Sequence, residues 1–475
     1  MTKFANSVRS RRLLPLTGLS VLGSAAVLLM SGAANAVTTP KGTAPVPVTI
    51  PNPLTLDQAV SITLSHLPAV DSSHTQIDEA NGIKEEAQSQ YFPHLTLGYD
   101  FIDETDQEYG MKAVTVTPGI TPSETYSAEQ GGGATVALSQ LLFDSGTREN
   151  DNALGRQGVY AAKDLYEYEK QTAALNTTVD YYTLLLDQDL IKVAQSQVTL
   201  YQQTVDLTNA QIQAGTEAAS SIYQAQADLA NAKVTLLQDQ NSVLTATATL
   251  KNVMGVETDA PLILAPAPAG TDGLPTIPAA PPVETLDNLL TVADQKRPDL
   301  DAQEHAVEEQ EIDVKQAQEN AGITINATYT GTLQATNDVG PKGLDSELLA
   351  TATYPIFDGG YNQGAVRAAR ALAAAAKDKF KTVRQEVRLQ VEQALDNQTE
   401  AFAASDLAEA AVKAAQVNVD AALAERKEGV GTTLDVTTAV ATLATAQNQY
   451  VTAVYNTYST QAILDETVGR IDTSR

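Results

Sequence analysis

Cysteine and tryptophan are both missing from the 475 residues, and histidine occurs only four times. Without cysteine there is no disulfide, thiolate metal site, thiol nucleophile or lipidated N-terminal cysteine. His66, His74, His94 and His305 are scattered, with no ligand spacing and no nucleophile partner, so they suggest neither a metal site nor a catalytic one. Nothing calls for a cofactor. Positive charge is scarce: 30 Lys and Arg stand against 58 Asp and Glu, a net charge of −28. Such acidity repels phosphate and excludes nucleic acid as a partner. Beyond Met30 no stretch reaches the roughly 20 apolar residues of a membrane-spanning helix. A mature chain that enters a membrane must therefore do so through strands. The run Gly131-Gly132-Gly133 precedes a strand rather than a helix, which argues against a phosphate loop.

The first 36 residues read as a signal peptide. Lys3, Arg9, Arg11 and Arg12 form a positive head, Leu13 to Met30 is mostly apolar, and Ala34-Asn35-Ala36 offers small residues for cleavage before Val37. Removal of those four positive charges takes the net charge from −28 to about −32. A Pro-rich arm, residues 37–53, follows.

The rest repeats itself. Phe143-Asp144-Ser145-Gly146 returns as Phe357-Asp358-Gly359-Gly360, Gly215 as Gly429, and Met254-Gly255 as Val468-Gly469, each 214 residues on. So long a period means duplication of a whole unit. The unit starts, around Leu56-Asp57 and Leu286-Asp287, lie 230 apart, so the first copy carries extra residues, expected between Gly110 and Gly133. The first copy occupies 54–256 and the second 284–469. A Pro- and Ala-rich linker, 257–283, separates them, and a short tail, 470–475, ends the chain. Seven prolines between Pro261 and Pro282 forbid a helix there.

Each copy reads alike. A short helix (Leu56 to His66; Leu286 to Arg297) stops before a proline, Pro68 or Pro298, that opens a second helix to about Gln90 or Gln318. Two alternating segments follow, expected as strand hairpins near 94–143 and 322–357. Leu95, Leu97, Tyr99 and Phe101 share one face of the first, and Ile323, Ile325, Ala327 and Tyr329 one face of the third. After Gly146 or Gly360 a proline-free run predicts a helix of about 68 residues, roughly 100 Å. A return helix of about 37 residues carries an apolar heptad: Ile222, Leu229, Leu236, Val243 and Leu250 in one copy, Val436, Leu443, Tyr450, Thr457 and Leu464 in the other. The fold class is mainly α, a duplicated unit of long coiled-coil helices plus a β-hairpin. Two copies supply four strands, which cannot close. In lipid an open edge is forbidden, so three chains would have to supply a 12-stranded transmembrane barrel.

The chain resembles the TolC-like outer-membrane efflux family from about residue 54 to 469. The resemblance rests on "LTLDQAV", on "RPDL" at Arg297 to Leu300, and on "LSQLLFDSG" and "YPIFDGG" at the strand-to-helix junctions. It rests also on "QAGTEAASSIYQAQADLANAK" and "GVGTTLDVTTAVATLATAQ" at the helical tips, and on the closing "LKNVMG" and "ILDETVG". It implies a homotrimer with a 12-stranded barrel in outer-membrane lipid above a periplasmic helical tunnel. The partners it implies are an inner-membrane transporter and a periplasmic adaptor, with no enzyme activity. The function expected is a passive exit duct of a tripartite efflux or type I secretion system. A periplasmic or surface coiled-coil structural protein is the alternative.

In the family, acids at the second tip narrow and gate the tunnel, often as a pair three residues apart. Here the first falls on Asp435 and the second position is Thr438, with Glu428 nearby; the copy-one counterpart of Asp435 is Ser221. Asp435 also reads simply as a carboxylate at a helix start, favoured by the helix dipole. Gly215, Thr216, Gly429 and Gly431 mark the tips that would meet the adaptor, and Glu217 adds to their negative charge or is merely solvated. Phe143 and Phe357 are expected at the membrane interface, with Asp144 and Asp358 capping the long helices and the glycines making the turn.

Overall fold

The computed structural model describes residues 50–106, 127–256, 261–270, 273–282, 284–336, 340–341, 345–428, 430–471 and 473. The expected cleavage site at Val37, both hairpin tips and Gly429 lie outside these residues. The described residues fall in one unit, Ile50–Arg475.

Each copy opens with a capped short helix. In α1 (Leu56–His66) Thr55 and Gln58 form a reciprocal box, the Gln58 N–H donating to Thr55 Oγ1 at 3.4 Å and the Thr55 N–H to Gln58 Oε1 at 3.1 Å. Thr285 starts α5 (Leu286–Lys296) with half of that box, its Oγ1 accepting from the Asn288 N–H at 3.4 Å. Pro68 and Pro298 then open α2 (Pro68–Ser89) and α6 (Pro298–Glu319), where a missing N–H costs nothing.

The strands follow: β1 (His94–Asp106), β2 (Ser127–Phe143), β3 (Thr324–Thr336), β4 (Gly340–Pro341) and β5 (Asp345–Thr353). They form one antiparallel sheet in which β2 pairs β1 and β3, and β3 also pairs β5 and the two-residue β4. β1 and β5 are left as the two edges. The glycine run belongs to this sheet rather than to a hairpin tip: Gly131, Gly132 and Gly133 face Ile102, Phe101 and Asp100 on one side and Thr336, Ala335 and Gln334 on the other. A strand held by ladders on both sides tolerates glycines that would weaken an isolated one.

The long helices α3 (Thr147–Gln213) and α7 (Tyr361–Lys427) are 67 residues each, about 100 Å. The return helices α4 (Ser221–Val253) and α8 (Thr433–Thr467) have 33 and 35 residues, shorter than the spacing of glycines suggests because each tip turn consumes several residues. α3 packs against α4, α8, α2 and α6, and α7 against α8, α6 and α5. The expected heptad faces the coil: Ala225, Leu229, Ala232, Ala246 and Leu250 are buried in α4, as are Val436, Leu443 and Leu464 in α8. Leu236 and Val243 of the same row are half-buried. Small residues on this row let the backbones approach closely.

The closing glycines lock each unit. Gly255 (φ 65°) and Gly469 (φ 71°) adopt the left-handed conformation, and a Cβ on either would come within 2.5 Å of the carbonyl of His66 or Lys296. The linker is tied down by main-chain bonds: the Leu54 N–H donates to Ile263 O and the Ala265 N–H to Leu54 O, both at 2.8 Å. The Tyr181 hydroxyl donates to Leu54 O at 3.0 Å and the Tyr450 hydroxyl to Pro275 O at 2.8 Å. Prolines cannot feed a ladder, so buried tyrosines supply the missing donors.

Candidate functional site: helical tips and strand-to-helix junctions

Both tips begin with the same carbonyl-satisfying turn. After α3 the Thr216 N–H donates to Gln211 O at 2.9 Å and the Gly215 N–H to Ile212 O at 3.0 Å, with Gly215 at φ 71°. This is a Schellman closure, which needs the left-handed residue that glycine supplies. After α7 the Val430 N–H makes the equivalent bond to Glu425 O at 3.0 Å, and the Gly431 N–H donates to the same oxygen at 3.1 Å.

Asp435 sits at the third position of α8 in a capping box. Its N–H donates to Thr432 Oγ1 at 3.2 Å, while its Oδ2 accepts from the Thr432 N–H at 2.9 Å and the Thr432 hydroxyl at 2.7 Å. The Thr432 hydroxyl, and then its N–H, hold the Asp435 carboxyl below the ordinary aspartate range. It is thus charged, fixed and exposed, and Thr438 one turn on and Glu428 across the turn are exposed as well.

Arg426, absent from the sequence-based candidates, is the residue that joins the two tips. It is 5% exposed. Its guanidinium donates to Glu217 Oε2 at 2.5 Å, Thr433 Oγ1 at 2.7 Å and Gly431 O at 3.2 Å. Gln211 Nε2 donates to Arg426 O at 3.1 Å, adding a second tie. Glu217 is therefore not merely solvated. The Ser221 hydroxyl at 2.6 Å, and then Arg426, hold its carboxyl below the ordinary glutamate range. No local pattern signals a bond between residues 209 apart in sequence. The one hint is a basic residue in the last turn of α7, where the dipole favours it.

At the other end the two junctions differ. Asp144, 7% exposed, accepts from the Arg148 N–H at 2.8 Å and from Arg148 Nε at 3.2 Å. Arg148 also donates to Leu141 O at 2.9 Å and lies over the Tyr91 ring, 5.0 Å from its centroid. Asp358 is exposed and accepts from the N–H groups of Gly360 and Asn362, each at 2.9 Å. Those bonds, that of Asn362 first, lower its carboxyl from the ordinary range. Phe143 is about half exposed, whereas Phe357 is 89% exposed. Among the described residues no cluster of three or more His, Asp or Glu could hold a metal, and no helix is long and apolar enough to cross a membrane.

The sequence profile of the outer membrane efflux proteins matches residues 59–256 and 289–470. The chain belongs to the outer membrane efflux protein family. Among curated proteins it is 26% identical to outer membrane efflux protein BepC of Brucella suis biovar 1, over 81% of this chain and 78% of that one. It is 23% identical to outer membrane protein TolC of Salmonella enteritidis, over 85% and 80% respectively. The outer-membrane channel OprN shares its fold, with a TM-score of 0.74 at 17% identity over 87% of this chain and 89% of that one. The protein is accordingly an outer-membrane efflux protein, and its relatives are channels rather than enzymes.

Proposed function

We propose that three copies of the chain close into a 12-stranded barrel in outer-membrane lipid and continue below it as one α-helical tunnel. The assembly acts as the passive exit duct of a tripartite efflux or type I secretion system. One observation carries this reading: four long antiparallel strands end in two unpaired edges, β1 and β5, directly above helices about 100 Å long. Edges left open in lipid are forbidden, and four strands are too few to close a barrel, which begins at about eight. The hairpin tips would face outside the cell and the helical tips the periplasm. Gly215, Thr216, Gly429 and Gly431 would present the surface that meets a periplasmic adaptor coupled to an inner-membrane transporter. Asp435, with Thr438 and Glu428 beside it, would bring three carboxylates towards one axis at the entrance, where they repel one another and attract cations. Phe143 and Phe357 would sit at the membrane interface, above helix starts capped by Asp144 and Asp358.

Recording from the purified protein in a planar bilayer tests the duct. Discrete, long-lived and cation-preferring conductance steps are expected. Protein that inserts but never conducts, at any divalent-ion concentration, would contradict it.

A further inference from the structure

The two copies treat one cleft in opposite ways. In the first copy the cleft between α2 and α3, at the end nearest the strands, is closed. Arg148 lies over the Tyr91 ring, 5.0 Å from its centroid, and Gln88 Nε2 donates to Asn152 Oδ1 at 3.4 Å. Gln90 Nε2 donates to Asp151 Oδ2 at 3.2 Å. In the second copy, shifted by 230 residues along α6 and by 214 along α7, these pairs become Ala321 with Asn362, Gln318 with Val366, and Asn320 with Ala365. None of them can repeat the side-chain contact of its counterpart. A cavity of about 440 Å³ opens there between α6 and α7, and Gln318, Ala321, Asn362, Gln363, Arg367 and Arg370 line it.

The charge of the cleft has changed with its shape. Gln363 stands where the first copy has Glu149, Ala365 where it has Asp151 and Arg367 where it has Ala153, while Arg156 is kept as Arg370. Residues 361–388 of α7 carry seven Lys and Arg against two Asp and Glu, whereas the matching residues 147–174 of α3 carry four against five. In a chain of net charge −28 this is a local reversal. Arg367, Arg370 and Gln318 have no hydrogen-bond or ion-pair partner among the described residues. Two guanidinium groups and three side-chain amides thus line one opening, with no carboxylate in its wall.

We propose that this cleft binds a phosphate group. A planar guanidinium grips phosphate through paired N–H donors, and the amides add neutral ones. Basic pockets between helices at a membrane surface take lipid headgroups by the same chemistry. Arg367 lies about 9 Å along α7 from its first residue, Tyr361. At that depth the headgroup layer, about 5–7 Å thick on each side of a bilayer, is within reach of a long basic side chain. The expected source is an anionic phospholipid of the periplasmic leaflet. That source rests on the barrel proposed above; the phosphate site itself does not.

The full-length protein in a neutral detergent is offered phosphatidylglycerol, phosphate-free diacylglycerol, or inorganic phosphate alone. Retained lipid is counted by native mass spectrometry and phosphate by equilibrium dialysis. Phosphatidylglycerol should be retained roughly tenfold better than diacylglycerol. Ala321→Tyr, which restores the ring of the first copy, should lower that retention roughly tenfold, as should Arg367→Ala with Arg370→Ala. Arg388→Ala, farther down the same basic stretch, should leave it unchanged. Binding of inorganic phosphate without the lipid, lost in the same variants, would support the site and assign it to free phosphate. Retention equal for both lipids, unmoved by Ala321→Tyr, or lowered as much by Arg388→Ala would overturn the site. Arginine variants that dissolve the trimer while binding persists would place those side chains between chains and overturn it as well. Conductance of the same preparations reports separately on the duct: a conducting protein that binds no phosphate would lose this site and keep the duct.

Discussion

The two strand-to-helix junctions share the motif Phe-Asp-x-Gly and are built differently. In the first, Arg148 closes over Asp144 and reaches back to Leu141 and Leu142, so the carboxylate is buried within its own chain. In the second, Asn362 stands where Arg148 would be, Asp358 is exposed, and Phe357 and Ile356 project bare. The local chemistry of the turn is retained, with a carboxylate serving backbone N–H groups and glycines at φ 107° and 92°. What changes is who covers it. The first junction packs on the end of α6, where Asn150 bonds Glu319 and the Ser145 hydroxyl donates to Ile323 O. The second has no such neighbour among the described residues. A duplicated unit placed in a ring is expected to look like this, finished on the side that meets its sister copy and bare on the side that meets another chain.

The largest effect is expected from Arg148→Ala. It removes one partner of an ion pair whose side chains are 11% and 7% exposed, which costs about 3 kcal/mol. Amide exchange in the first turn of α3 should accelerate by roughly two orders of magnitude. Asp358→Ala should leave the first turn of α7 much less affected. Equal acceleration at both sites would mean that the junctions are equivalent after all.

The tips sharpen the same contrast. Arg426→Ala strips the buried guanidinium from Glu217, Thr433 and Gly431, costing about 2 kcal/mol once the partial exposure of Glu217 is allowed for. Faster exchange is expected at both Gly215 and Gly431, because one residue holds both tips. A response confined to the second tip would sever the tie. Because the Glu217 carboxyl is held below its ordinary range, its contribution is present above that range and lost as pH falls through the lowered value.

Farther along α3, burial first, and then nearby Tyr458, push the Tyr182 phenol up to about 12. Its neutral form is the one the packed state favours. The contribution is therefore complete below pH 10 and lost as pH rises from about 10 to about 12. Alkaline titration followed by tyrosine absorbance and helix content should show ionisation and loosening of α3 from α8 together. Ionisation near 10 with the coil intact would contradict the packing. The smallest expected effect is Asp435→Asn, which should weaken divalent-cation block and cation preference while trimer yield changes little. Identical block curves would leave Asp435 a capping residue alone.

Much of this architecture is legible in the sequence because it is written in local signals. Pro68 and Pro298 start helices where the structure starts them, and the 214-residue offset carries both long helices. The capping box was legible too, since Thr432 and Asp435 stand three apart, although the position of Asp435 alone suggests only a dipole effect. The strand limits were harder. A glycine run reads as lying before a strand until both neighbouring ladders are known, so β2 begins at Ser127 rather than after Gly133. The tie from Arg426 to Glu217 was illegible, because it depends on how two tips far apart in the chain are brought together.

Closure by three chains predicts the mass of the intact particle released from detergent. A particle of three chains that persists under mild denaturation is the predicted result. A particle that remains a single chain across detergents and concentrations would contradict it, because four strands would then have to survive in lipid with two open edges.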